Sequence, residues 1–257
     1  MTKRILIVDN DPAVINDRKR RLFGESTGEG YAAALRRIDP GCAIAITAPY
    51  DGEDLPDLTV FDGAVFTGSA VDWSTDDARA EPLAGAMRAV FAAGLPALGS
   101  CNGMQLAASV LGGRSQASPN GREDGLAVDI RLTEAGRRHP MMAGREDGFA
   151  VPCVHRDEVA LLPDGAVLLA GNRHSPVQAM AFERDGIRFW GVQYHPEYTL
   201  PFIGKRVLDW ERLPVETAAD LQIAHEDPAA AQRLGVRYSD MQDTARLTEL
   251  RNWMAQL

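Results

Sequence analysis

The run Ile5-Leu6-Ile7-Val8 is continuously apolar and stops at Asp9-Asn10-Asp11, the pattern of a strand buried on both faces. A glycine-rich stretch, Gly24 to Gly30, then precedes a predicted helix over about 31–38. Cys42 to Thr47 alternates and predicts a second strand, and Phe61 to Gly68 a third that ends on glycine. Leu83, Met87, Val90 and Phe91 recur at helical spacing and predict a helix over 78–93. Leu95 to Ser100 predicts a fourth strand, and 102–111 a helix closed by Gly112-Gly113. Short apolar strands alternating with helices predict an α/β fold, a mostly parallel sheet covered on both faces.

From Leu126 to Glu183 the strands predicted are shorter, with turns at Pro163-Asp164-Gly165 and Asp185-Gly186. Ile187 to Tyr194 predicts the last core strand. Beyond Tyr198 the pattern changes. Asp227-Pro228 reads as an N-cap with proline at the first helical position, and Gly235 as its close. Leu247, Leu250, Met254 and Leu257 share a helical face, with Trp253 beside it. The expectation is a domain over 1–200 and a helical extension over 201–257 docked on it.

The chain has 257 residues, 45% of them apolar, enough for a full core. Its formal net charge is −9, and Arg18-Lys19-Arg20-Arg21 is its longest basic run. That acidity argues against nucleic acid or an anionic membrane as partner. Cys42, Cys101 and Cys153 are odd in number and lack paired or metal-type spacing, which predicts free thiols in a reducing cytoplasm. Four apolar residues near the N-terminus are too few for a signal-peptide core, and no stretch reaches membrane-spanning length.

Candidate chemistry lies in two runs. Gly99-Ser100-Cys101-Asn102-Gly103 has the glycine-x-nucleophile-x-glycine pattern of a tight strand-to-helix turn, with small residues where a strained backbone leaves no room for bulk. The following helix presents its positive end to Cys101 and favours thiolate. A helix end alone supplies under ~1 kcal/mol, so a neighbouring imidazolium is needed. His195-Pro196-Glu197 offers one: in extended chain His195 and Glu197 point to the same side, and the carboxylate orients the ring. The N–H of Asn102 is a candidate oxyanion donor; Gly68 is a second, or merely a strand-ending turn. His139, His174 and His225 read as solvent-facing or structural, Cys42 and Cys153 as small buried residues, and His155 is ambiguous. A metal site finds no recognisable ligand spacing.

Taken in order, Thr67-Gly68-Ser69, Gly99-x-Cys101-x-Gly103-x-Gln105 and His195-Pro196-Glu197 resemble the class I, or triad, glutamine amidotransferase family over roughly residues 4 to 200. The resemblance implies a flavodoxin-like α/β fold, no cofactor, and hydrolysis of the glutamine side-chain amide through a γ-glutamyl thioester. It implies Cys101 as nucleophile, His195 as base and acid, Glu197 as orienter, and Gly68 and Asn102 as oxyanion donors. Gln105 matches the residue that holds the substrate, and Ser69, Val154, His155 and Asp157 fall in its substrate-binding regions. The stretch His155-Arg156-Asp157-Glu158-Val159 is similar to the guanylate synthetase amidotransferase subgroup. Gly68-Ser69-Ala70 departs from the Gly-Gly-Pro or Gly-Pro-Gly of many members and is closer to free-standing ones; Asn102 replaces a bulkier apolar residue.

The sixty or so residues outside that match are too few for an ATP-using synthase domain. An ammonia acceptor is therefore expected on a partner protein. A γ-glutamyl peptidase or hydrolase acting on γ-glutamyl conjugates is the alternative, and a non-catalytic binding protein on this fold a third; the intact Cys-His-Glu set argues against the last.

Overall fold

Ile5, Leu6, Ile7 and Val8 are each fully buried, as their uninterrupted apolar run requires of a central strand. The computed structural model describes residues 2–257. The first half of the chain runs β1 (Arg4–Val8), α1 (Ala13–Phe23), α2 (Thr27–Ile38), β2 (Ala43–Thr47), β3 (Gly63–Phe66), α3 (Glu81–Ala92), β4 (Ala97–Ser100) and α4 (Asn102–Val110). A middle section follows: β5 (Arg114–Ala117), β6 (Glu123–Leu132), α5 (Glu134–Arg138), β7 (Phe149–His155), β8 (Asp157–Leu161), β9 (Val167–Gly171), β10 (Ala179–Arg184) and β11 (Ile187–Val192). The last section is helical: α6 (Leu200–Asp209), α7 (Val215–Ile223), α8 (Pro228–Arg233), α9 (Asp243–Arg246) and α10 (Thr248–Met254).

Nine strands form one sheet in the order β2-β1-β3-β4-β11-β10-β9-β6-β7. The first five are parallel, and β10, β9, β6 and β7 continue the sheet antiparallel. This is the flavodoxin-like mixed sheet expected of the sequence. In such a sheet, ligands collect beyond the carboxyl ends of the parallel strands. Here those ends deliver Asp9-Asn10-Asp11, Thr67-Gly68, Cys101 and, three residues past β11, His195.

Three expectations need correction. The stretch from Gly24 to Gly30 is not a loop before a helix at 31: α2 begins at Thr27, with a capping box in which Ser26 Oγ accepts from Glu29 N–H and Glu29 reaches back to Ser26 N–H. Gly28 lies inside that helix because the Asp9 carboxylate packs there and accepts its N–H at 2.8 Å; a Cβ would stand 2.9 Å from Asp9 Oδ2. Helix α1 was not anticipated, since its run Asp17 to Arg21 breaks any apolar stripe. Finally, the last core strand stops at Val192, and Pro196-Glu197 form a turn closed by Tyr198 N–H on His195 O at 3.2 Å. His195 and Glu197 therefore do not share a side by strand alternation.

The helical tail is joined to the core. Leu250, Trp253 and Met254 share one apolar cluster with Ile5, Ile7, Tyr31 and Leu35, while α6 to α8 pack in another with Val154 and Tyr198. A buried bidentate pair links Arg145 to Glu249 at 2.6 and 2.8 Å, and Tyr194 O–H donates to Glu249 at 3.0 Å. Removing one partner of a buried pair leaves the other charge uncompensated, at about 3–5 kcal/mol. Glu249→Gln is expected to lower the unfolding free energy by an amount of that order, read as a lower urea midpoint; an unchanged midpoint would show that the pair contributes nothing to stability.

Candidate active site

Cys101 sits between β4 and α4 with φ 51° and ψ −106°, a conformation an L-residue adopts only when its surroundings impose it. The imposition is visible. Cys101 N–H donates to Val192 O of the neighbouring strand at 2.8 Å, which ties the elbow to β11. Gly103 abuts β3 so closely that a Cβ would lie 2.3 Å from Phe66 O. The first N–H groups of α4, from Asn102 onward, have no partner within the helix. The Asn102 side chain is fixed separately, its Oδ1 accepting from Asn10 Nδ2 at 2.9 Å.

His195 is buried, and its backbone N–H donates to Pro152 O at 2.8 Å. Nδ1 is 2.6 Å from Glu197 Oε1, a bond that the turn at Pro196-Glu197 makes by folding the carboxylate back under the ring. Tyr198 stacks flat on the imidazole, 4.1 Å between centroids and 6° between planes. Gly68 covers the edge: a Cβ there would stand 2.5 Å from His195 Cε1. Burial, the largest influence, pushes the imidazole pKa down. The charge of Glu197, then the charge and hydrogen bond of Cys101, outweigh it and raise His195 to about 9. The turn is held from outside, since the buried Arg246 guanidinium donates to Pro196 O.

A cavity of about 410 Å³ opens onto the thiol and is lined by Ser69, Asn102, Gln105, Val154, His155 and Asp157 among others. Six of the positions singled out in the sequence thus surround one space with Cys101, while Gly68, His195 and Glu197 stand behind it. Several of these side chains are already committed. Ser69 Oγ donates to Asp11 at 2.9 Å. Gln105 Nε2 donates to Asp157 O at 2.5 Å and to Gln193 Oε1 at 3.2 Å. His155 spends both ring nitrogens on protein, Nδ1 on Asp157 O at 3.0 Å and Nε2 on Glu123 Oε2 at 2.9 Å. Val154 O is 3.8 Å from Cys101 Sγ.

Sequence spacing missed two supporting groups. Glu123 and His155 are cross-strand partners in β6 and β7, so no local motif joins them. With Cys153 they bring three metal-ligand types within 4.8 Å. These donors are already satisfied: Glu123 also accepts from Asn172 and Gln178, both at 2.7 Å. Burial raises the Glu123 carboxyl, but hydrogen bonding and charge from His155 outweigh it and hold it below the usual range. Burial pushes the Cys153 thiol well above its ordinary pKa. The second group is Asp11, which accepts from Ala70 N–H at 2.7 Å and Thr27 Oγ1 at 2.7 Å and pairs with buried Lys19, fixing the loop after Gly68. The polar Asp9-Asn10-Asp11 at the end of a buried strand was the available signal.

The model of the family described as glutamine amidotransferase class-I matches residues 41–213. The chain belongs to that family. A γ-glutamyl-L-1-hydroxyisopropylamide hydrolase from Pseudomonas sp is 34% identical over 76% of this chain and 67% of its own length. A glutamine-hydrolysing GMP synthase from Nitrosococcus oceani is 34% identical over 73% of this chain; the chain spans about a quarter to a third of the GMP synthases it matches. The glutamine amidotransferase of Thermotoga maritima shares the fold, with TM-score 0.69 at 16% identity over 100% of this chain and 98% of that one. The relatives of this chain are hydrolases and glutamine-hydrolysing synthases, and the chain is an enzyme of this family. Among the described residues no helix is long and apolar enough to cross a membrane.

The raised His195 pKa has a stability consequence. A group whose pKa is higher in the folded state contributes stability in full below its unfolded value, here 6.5, and loses it as pH climbs through about 9. The unfolding free energy of the native chain should exceed that of His195→Asn most at pH 6, and the gap should close by pH 10. A gap that widens with pH would contradict this assignment.

Proposed function

We propose that Cys101 is the nucleophile, His195 the base and acid, and Glu197 the group that orients and charges the ring. The observation that carries this reading is the strained Cys101 backbone packed against a buried His195–Glu197 pair. Backbone strain at a non-glycine residue persists only where the surroundings pay for it, and it concentrates at functional sites. The thiolate attacks the γ-carbonyl carbon of a γ-glutamyl amide. The oxyanion takes hydrogen bonds from Asn102 N–H and from the backbone at Gly68, each typically worth about 3 kcal/mol. His195 passes its proton to the departing nitrogen, the C–N bond breaks, and a γ-glutamyl thioester remains. Water, deprotonated by His195, then releases glutamate and returns the thiol.

Gln105 is proposed to face the substrate through Oε1, since its Nε2 is bound to protein; that oxygen suits the substrate's α-ammonium. His155 acts through Asp157 O and Val154, positioning them rather than touching substrate. Glutamine is the simplest such substrate, and the resemblance to GMP synthases supports release of ammonia to an acceptor on a partner protein. The alternative, a γ-glutamyl conjugate, is favoured by a cavity that extends past the thiol and by the similarity to a γ-glutamyl amide hydrolase. Free Cys42, Cys101 and Cys153 suit a reducing, cytoplasmic setting.

Ammonia and glutamate release from glutamine and from γ-glutamyl methylamide tests the chemistry. Cys101→Ala is expected to abolish release from both, and residual turnover above a hundredth of the native rate would refute the nucleophile. Glu197→Gln should lower kcat by about 10²-fold or more with little change in KM, because it disturbs the imidazole and not substrate contacts. A KM effect alone would remove Glu197 from this role.

A further inference from the structure

The cavity continues from Cys101 to a cationic end that hydrolysis of glutamine does not use. Its lining includes Arg18, Lys19, Arg122, Arg156, Arg206 and Arg212 against only Asp72 and Asp157, in a chain whose net charge is −9. Three of the six are neutralised, Lys19 by Asp11, Arg122 by Asp124 and Arg156 by Asp157. Arg206 is the informative one. It is 3% exposed, and among the described residues it has no carboxylate partner. Its Nη1 donates to Tyr198 O–H at 2.7 Å, and its Nε is buried without an acceptor. The guanidinium is clamped 4.2 Å from the centroid of Trp210 and 5.2 Å from that of Tyr198. A buried guanidinium without a counter-charge is unfavourable, and an anionic ligand would offset that. Lys19 feels the same imbalance: burial above all, and the Arg206 charge with it, push its ammonium below the ordinary pKa against the pull of Asp11.

The direction of this end relative to the reaction follows from proton transfer. The departing nitrogen must lie beside His195 to receive its proton. His195 is stacked on Tyr198, and Tyr198 is bonded to Arg206. Cys101 and Arg206 line one cavity, so substituents on that nitrogen can extend through it toward Arg206. Ammonia has no such substituent. Resting on the thiol mechanism above, we propose that the preferred substrate is a γ-glutamyl conjugate of an amine bearing a carboxylate, a γ-glutamyl amino acid, whose carboxylate pairs with Arg206. Cys101 attacks the γ-carbonyl and forms the C–S bond; as the tetrahedral oxyanion collapses the C–N bond breaks, and the amino acid departs with the proton from His195. Water then releases glutamate.

The test compares kcat/KM for γ-glutamylglycine, γ-glutamylglycinamide and glutamine with the intact chain. The two conjugates differ in one charge, and glycinamide, the less basic amine, is the easier leaving group, so intrinsic reactivity opposes the expected order. The glycine conjugate is expected to be favoured by about tenfold or more, as for a charge-assisted hydrogen bond, with the ratio falling at high salt. Arg206→Gln should bring the ratio toward one, with the loss borne by the glycine conjugate. Because Arg206 is buried, the exposed double variant Arg18→Ala, Arg212→Ala provides a second reading, expected to shrink the ratio by a few-fold. Equal or better cleavage of the glycinamide conjugate overturns the proposal. So does an Arg206→Gln loss shared equally by both conjugates, which would place Arg206 at the glutamyl end or in a purely structural role. Hydrolysis of glutamine with neither conjugate cleaved overturns it while leaving the thiol mechanism standing. Cleavage of none of the three removes both.

Discussion

Parallel pairing of β4 with β11 is the constraint on which the site depends. Ser100 lies opposite Val192 in that pairing, so the residues that follow each strand emerge side by side at one edge of the sheet. The bond from Cys101 N–H to Val192 O extends the ladder one step past the strand end and sets the strained conformation of the cysteine. His195 enters three residues later, pinned to Pro152 O. Cys101 and His195, ninety-four positions apart, are thus brought together because two backbone strands are neighbours.

Around this contact the fold builds support in two directions. From the antiparallel half of the sheet, Glu123 holds His155, His155 holds Asp157 O, and Asp157 O holds Gln105, so one hydrogen-bonded chain runs from β6 to the cavity wall. From the tail, Arg246 fixes Pro196 O and Glu249 fixes Tyr194, bracketing His195 on either side in sequence. The extension is therefore part of the scaffold of the candidate site. Arg145–Glu249 is buried and fully paired, whereas Arg206 is buried and unpaired; the contrast separates a charge satisfied within the fold from one left for a ligand.

Much of the core was legible because its strands are buried on both faces. Runs such as Ile5 to Val8 and Ala64 to Phe66 carry no polar residue, and glycine follows where a turn or a close approach demands it. Helix α1 was not legible, since its amphipathic face is interrupted by the charges it presents to solvent and to the cavity. The turn at Pro196-Glu197 escaped for a different reason. A residue pair two apart can meet through strand alternation or through a turn, and only the neighbours, here Tyr198 and Arg246, decide which.

The sequence by itself determined the α/β class, the glycine-flanked elbow at Cys101 and the His195-Pro196-Glu197 run. Each of these is a local steric or chemical requirement written in adjacent residues. Tertiary structure alone decided that Glu123 would buttress His155, that the tail would brace the turn at Pro196-Glu197, and that Arg206 would be buried without a counter-charge. Those outcomes rest on partners far apart in the chain, and electrostatic balance in a folded interior depends on which distant groups exclude water together.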